Sequence, residues 1–203
     1  MRIRDARIVA TAVGPGGFPA EGLPEVAFLG RSNAGKSSLL NALVGRRDLA
    51  RVSGTPGKTR ALHWFRIERL DAADRAHVLL FVDLPGYGFA RVAKTERAAW
   101  QKLVEGYLDG RAPLRAAVLV QDVRRDASDD ELDLVAWLVE RRVPVLVAAT
   151  KCDKLKHGAR AARLRALRAA YGRGARVVAT SASTRLGIDE LWEVLAGLTE
   201  AAP

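Results

Sequence analysis

Cysteine is almost missing from this chain. Cys152 is the single one in 203 residues, so no disulfide can form within the chain and a reducing compartment is expected. Long apolar runs are missing too. No stretch approaches the roughly 20 residues needed to span a bilayer, and the N-terminus lacks the apolar core of a signal peptide, so we expect a cytoplasmic protein with no membrane partner. There is no internal repeat, no low-complexity segment and no composition shift marking a second domain. Acidic residues are in deficit, 23 against 33 Lys and Arg, for a net charge of +10 and a pI near 10.4. That balance points toward an anionic partner such as nucleic acid. The excess is mostly arginine in an alanine-rich sequence, however, which a general compositional bias also produces.

What is present is organised around Gly30-Arg31-Ser32-Asn33-Ala34-Gly35-Lys36-Ser37, a GxxxxGK[ST] phosphate loop. An apolar run, Pro24 to Leu29, precedes it as a short buried strand, and Ser38 to Leu43 continues it as a helix. The glycines let successive N–H groups turn inward toward phosphate oxygens, and the helix N-terminus adds the positive end of its dipole. Lys36 then reaches the β- and γ-phosphates, and the Ser37 hydroxyl binds Mg²⁺.

The remaining chain alternates strands and helices, the pattern of a mostly parallel sheet covered on both faces. Residues 1–23 read as an arm with an edge strand (Ala6 to Val13) and a Gly/Pro-rich loop, and residues 24–200 as one nucleotide-binding domain. Strands are expected at 62–70, 77–82, 116–120, 143–149 and 176–179. Helices are expected at 95–108, 159–171 and 188–198, and one opens at the capping box of Ser128 and Glu131. The first of these helices puts Trp100, Leu103, Val104 and Tyr107 on one face, as core. Gly45 to Arg60 is polar, basic and broken by Gly54, Pro56 and Gly57, which reads as a mobile loop.

Four further signals fall where ligands of such sheets sit, at or beside the strands' carboxyl ends. Asp83-Leu84-Pro85-Gly86 supplies a carboxylate for Mg²⁺ and a Gly86 N–H for the γ-phosphate. In Thr150-Lys151-Cys152-Asp153 the aspartate can accept both guanine N1–H and N2–H₂, a donor pair that adenine lacks, while the Lys151 stem lies over the base. Thr180-Ser181-Ala182 can give a backbone N–H to guanine O6. Thr59 can bring a second hydroxyl to Mg²⁺ when a γ-phosphate is bound. Each signal is weak alone, but their joint order points to GTP.

Together these stretches resemble the EngB family of GTPases, in the Era-like branch. The resemblance rests on residues 22–28, on Gly30 through Ser38, on Thr55-Pro56-Gly57-Lys58-Thr59, on Asp83-Leu84-Pro85-Gly86-Tyr87-Gly88-Phe89-Ala90 and on residues 150–153. It implies a Ras-like α/β fold of six strands with one antiparallel pair, nucleotide contacts that extend over Gly57 to Ala61 including Arg60, and a monomer. It also implies a role in assembling the large ribosomal subunit, through ribosomal RNA and proteins, and a link to cell division. Two other readings are compatible with the sequence: a basic RNA-binding scaffold that holds guanine nucleotide structurally, and a GTPase whose main partner is a protein, with the basic charge incidental.

One residue type is missing where it matters. Many GTPases carry glutamine directly after DxxG to orient the attacking water, whereas this chain has Tyr87, whose phenol is no base at neutral pH. Slow hydrolysis is expected, with Lys36, Thr59, Gly86 and Asn33 as the assisting groups. Asn33 resembles the asparagine of GTPases that bind K⁺ beside the β,γ-bridging oxygen; the alternative is that it only shapes the loop. Gln121-Asp122-Val123-Arg124 and the basic helix near 159–170 depart from the family pattern and are expected to stand apart from nucleotide chemistry.

Overall fold

In the computed structural model the described residues are 2–20, 22–50, 61–86 and 102–200. They form one seven-stranded sheet with strand order β1-β3-β4-β2-β5-β6-β7. At its centre lies β2 (Glu25–Gly30), buried at all six positions. It pairs in parallel with β4 (Ala76–Asp83) on one side and β5 (Leu114–Asp122) on the other, and β6 (Val145–Thr150) and β7 (Arg176–Ala179) continue the parallel run. Strands covered on both faces have no solvent side to alternate against, which is why these segments read as near-continuous apolar runs.

The side chains of β2 divide between two cores. Val26 and Phe28 join a cluster with Leu39, Leu40 and Leu43 of α1 (Lys36–Val44) and with Ile188, Leu191, Trp192 and Leu195 of α5 (Ile188–Glu200). Ala27 and Leu29 face the other way, toward the helical residues 102–108 (α2), α3 (Asp129–Glu140) and α4 (His157–Tyr171). Helices thus cover both faces, as expected. In α3 the capping box forms, with the Ser128 N–H donating to Glu131 Oε2 at 2.8 Å.

The strand count corrects the expectation of six strands and one antiparallel pair. β3 (Leu62–Leu70) runs antiparallel to β4, joined by a turn in which Asp71 Oδ1 accepts the N–H groups of Ala73 and Arg75 at 2.8 and 3.0 Å. A second antiparallel pairing is present as well, because β1 (Arg2–Ala12) runs along the outer edge of β3. The arm is therefore a full-length strand of the same sheet, four residues longer at its start than the apolar pattern indicates. Register breaks near Arg4 and Val9 mark bulges, which suit an edge strand.

At the start of β2, Glu25 is wholly buried. Arg111 donates to both its oxygens, Nη2 at 2.5 Å and Nε at 3.0 Å, and the Tyr107 hydroxyl donates at 2.8 Å. Burial and the adjacent Glu25 carboxylate push the Tyr107 phenol well above its usual range, so it serves as a permanent donor. Arg111 also holds the Pro19 carbonyl at 2.8 Å, and the Phe18 ring packs on Trp64 and Tyr107, which fastens the Gly/Pro-rich loop onto the core. Removing one partner of a buried ion pair leaves an uncompensated charge. Arg111→Ala should therefore lower the unfolding free energy in a urea titration by about 3 kcal/mol. A loss below about 1 kcal/mol would mean that Glu25 is compensated without Arg111.

Candidate nucleotide-binding site

Parallel pairing brings the carboxyl ends of β2, β4, β6 and β7 to one edge of the sheet, and each ends in one of the motifs read from sequence. Gly30 closes β2 against β5 so tightly that a Cβ there would lie 2.7 Å from the Val120 carbonyl oxygen. No other residue fits. The chain then turns through Arg31, Ser32, Asn33 and Ala34 to Gly35, whose φ of 102° at the N-cap of α1 lies in the left-handed region that favours glycine. Asn33 also has a left-handed φ, 64°, and its side chain is exposed. Lys36 opens the helix, followed by Ser37 and Ser38.

The other motifs close around this loop. Gly86 lies against it, since a Cβ would be 3.1 Å from Ser32 Oγ and 3.4 Å from Ser32 N. Asp83 ends β4 and its carboxylate pairs with the Lys36 ammonium, both side chains being about nine-tenths buried (12% and 9% exposed). From the β6 end, the Thr150 hydroxyl donates to the Ala34 carbonyl at 2.5 Å, and Lys151 Nζ donates to the Asn33 carbonyl at 2.6 Å. The Lys151 stem crosses near Gly35, where a Cβ would be 3.7 Å from Lys151 Cε. Asp153 accepts the Ser181 hydroxyl at 2.7 Å, and that bond, first among its causes, holds the carboxyl below its usual range. It is therefore ionised and able to accept from guanine. Thr180 is tied to β6 through its N–H to the Ala149 carbonyl at 2.7 Å, while the Ala182 N–H has no partner among the described residues.

A chain segment matching the family described as 50S ribosome-binding GTPase covers residues 25–151. Among relatives, the probable GTP-binding protein EngB of Anaeromyxobacter sp. (strain K) is 45% identical over all of this chain and 95% of its own. The one from Myxococcus xanthus is 43% identical over 96% and 95%. The chain belongs to the EngB family of GTP-binding proteins. A crystal structure of a probable GTP-binding protein engB has the same fold, with a TM-score of 0.64 at 24% identity over 87% of this chain and 98% of that one. As an EngB-family member the protein is a GTPase, and the cluster of motifs around the loop is the candidate nucleotide site.

Not every expected contact falls within the described residues: Gly57, Lys58, Thr59, Arg60 and Tyr87 lie outside them, and Ala61 is the first described residue before β3. For Mg²⁺ the chemistry of the donors fits. The Ser37 hydroxyl and the Asp83 carboxylate are hard oxygen ligands, of which Mg²⁺ takes one or two and completes its shell with phosphate and water. Cys152 is buried, donates to the Ala149 carbonyl at 3.2 Å, and burial raises its thiol pKa, so it is an inert filler between Lys151 and Asp153.

Asp122 is in contact with one of the predicted nucleotide residues: its Oδ2 lies 3.0 Å from Lys151 Nζ, and it also accepts from the Arg124 backbone N–H and guanidinium at 2.7 to 3.1 Å. These bonds outweigh burial and drive its carboxyl far below the usual range. Asp122 anchors Lys151. It sits one position past the buried Gln121 at the end of β5, beside Thr150 in the β6 register, and only that pairing gives it meaning.

The two aspartates should separate in a fluorescent-nucleotide titration. Asp153→Asn should weaken guanine nucleotides roughly 10- to 150-fold and improve xanthine nucleotides, since the lost bonds are to a charged acceptor. Asp122→Ala acts through Lys151 and should weaken both bases alike, by about tenfold. A base-selective effect of Asp122→Ala would overturn the anchoring role.

Proposed function

We propose that this GTPase is a slow switch in assembly of the large ribosomal subunit, acting in the cytoplasm, with the GTP form docking more tightly than the GDP form. The observation that carries the reading is the family match over residues 25–151, to proteins described as ribosome-binding GTPases. A net charge of +10 supports it, since ribosomal RNA offers the polyanion such a protein would seek.

In this reading Asp153 selects guanine, the Ala182 N–H meets O6, and Lys151 covers the base. Lys36 exchanges the Asp83 carboxylate for the β- and γ-phosphates, which leaves Asp83, with Ser37 and Thr59, to hold Mg²⁺. That ion neutralises charge on the phosphates and orients them when bound. Gly86 lies against the loop where a γ-phosphate contact is required. Tyr87, in place of glutamine, offers no base, which supports a low intrinsic rate. K⁺ at Asn33 is the remaining aid to hydrolysis. The left-handed backbone of Asn33 equally suits a purely loop-shaping role, and loss of a K⁺ stimulation of turnover in Asn33→Ala separates the two.

Pelleting with purified large subunits tests the switch. A coupling of 1–3 kcal/mol gives roughly 5- to 150-fold tighter binding with a non-hydrolysable GTP analogue than with GDP, and by linkage the subunit must raise GTP affinity by the same factor. Equal binding in both nucleotide states, with no change in nucleotide affinity, would leave a scaffold rather than a switch.

A further inference from the structure

The positive charge of this protein is not spread over it. Residues 154–188 contain nine Lys and Arg and no Asp or Glu, so this segment alone accounts for nearly all of the net +10. Elsewhere the 24 Lys and Arg are nearly matched by 23 Asp and Glu, and many of them sit on carboxylates, as do Lys154 and Arg176 within the segment. On the far edge of the sheet Arg4 and Arg66 share Glu68, Arg7 lies on Asp5, and Arg75 on Asp71. Along α4 and its flanks the pattern differs. Lys156, Arg160, Arg165, Arg168 and Arg173 form no ion pair with any described residue, whereas Arg163 is drawn inward to the Val123 carbonyl and Asp126.

Nothing in the fold of α4 requires these charges. The helix is held by Leu164, Leu167 and Tyr171, all buried. Arg165 and Arg168, both exposed, stand three residues apart, where like charges on a helix repel. Its first turn carries Lys156 and His157 and no acid, against the helix dipole, whereas α3 opens with Asp129, Asp130 and Glu131. Each arrangement destabilises the isolated protein and becomes favourable beside a polyanion.

We propose that the exposed flank of α4, with the turn carrying Arg173, binds the sugar-phosphate backbone of double-helical RNA. Arginine dominates the patch, and its planar guanidinium matches phosphate better than the ammonium of lysine does. The outward surface of α4 has no exposed large apolar residue, its one Tyr, Tyr171, is buried, and its only exposed ring is the His157 imidazole at the first turn. A membrane surface would need an apolar face to bury, an acidic protein partner would need apolar anchors, and single-stranded RNA would need rings on which bases stack. A duplex read through its phosphates and shape needs none of these. The surface deepens the ribosomal reading by naming the structure contacted, and it rests on that reading only for the source of the RNA.

The test uses the full chain loaded with GDP and a labelled RNA duplex of mixed sequence, followed by anisotropy from about 50 to about 200 mM salt. Each lost phosphate contact flattens the plot of log affinity against log salt by about 0.7–0.9. Arg165→Gln/Arg168→Gln/Arg173→Gln should therefore reduce the slope by about 2 to 3 and weaken binding about tenfold or more, with GDP affinity unchanged. Arg4→Gln/Arg7→Gln, on the far edge, should bind as the wild type. A triple variant with wild-type duplex binding would overturn the proposal. So would a wild type that bound the single strand, or vesicles of phosphatidylcholine and phosphatidylglycerol, more tightly than the duplex. Cosedimentation of the same proteins with large subunits keeps the two readings apart, because a wild type that binds duplex but no subunit loses the ribosomal reading alone.

Discussion

Everything in the site depends on one strand being paired on both sides. β2 lies between β4 and β5 in parallel, so its carboxyl end, where the phosphate loop leaves, shares an edge with those of its neighbours. At its other end Glu25 is fixed by Arg111, Tyr107 and Trp64, which sets where the strand starts. The close fit of Gly30 on the Val120 carbonyl sets where it ends. A strand anchored at both ends cannot slide in register, and the loop beyond it inherits that rigidity.

The electrostatics of the site obey a single plan. Its two lysines are placed where ligand must arrive, and each already rests on a carboxylate: Lys36 on Asp83, and Lys151 on Asp122. An ammonium held nine-tenths buried without a partner is strongly disfavoured. Pairing removes that penalty before a phosphate arrives. The two pairs then have different fates. In the proposed function Asp83 is released to Mg²⁺, whereas Asp122 is held by three further bonds from Arg124 and stays where it is. One pair is an exchange and the other an anchor.

The sequence showed the chemistry at strand ends more clearly than it showed the scaffold behind it. The phosphate loop, Asp83 to Gly86, Thr150 to Asp153 and Thr180 to Ala182 were legible because their roles require specific residues at short spacing, and the structure brings all four together. Strand 62–70 was legible in full because antiparallel pairing and a strong Asp71 turn bound it at both ends. The full length of β1 was not. Arg2, Arg4 and Asp5 interrupt its apolar pattern, and only pairing with β3 makes a strand of them. Glu25 and Asp122 were missed as organisers for a related reason: the partners of Glu25 are 39 to 86 residues away and the lysine that Asp122 holds is 29 away, and nothing local distinguishes a structural carboxylate from a solvated one. The basic helix was visible as composition, but the fold was needed to show which of its arginines lack partners.

The strand order also carries a consequence for how the molecule comes into being. The phosphate loop is made early, by residue 37, yet its strand cannot be flanked until β4 and β5 have been synthesised, up to residue 122. The base-binding end closes only when Ser181 meets Asp153. Contacts so distant in sequence form late and slowly, while domains as a whole fold as units during synthesis. A growing chain will therefore gain nucleotide affinity in one late step, near its end, rather than by degrees. Because a ligand that binds only the native state stabilises it by mass action, guanine nucleotide will hold the finished fold and none of the partial ones that precede it.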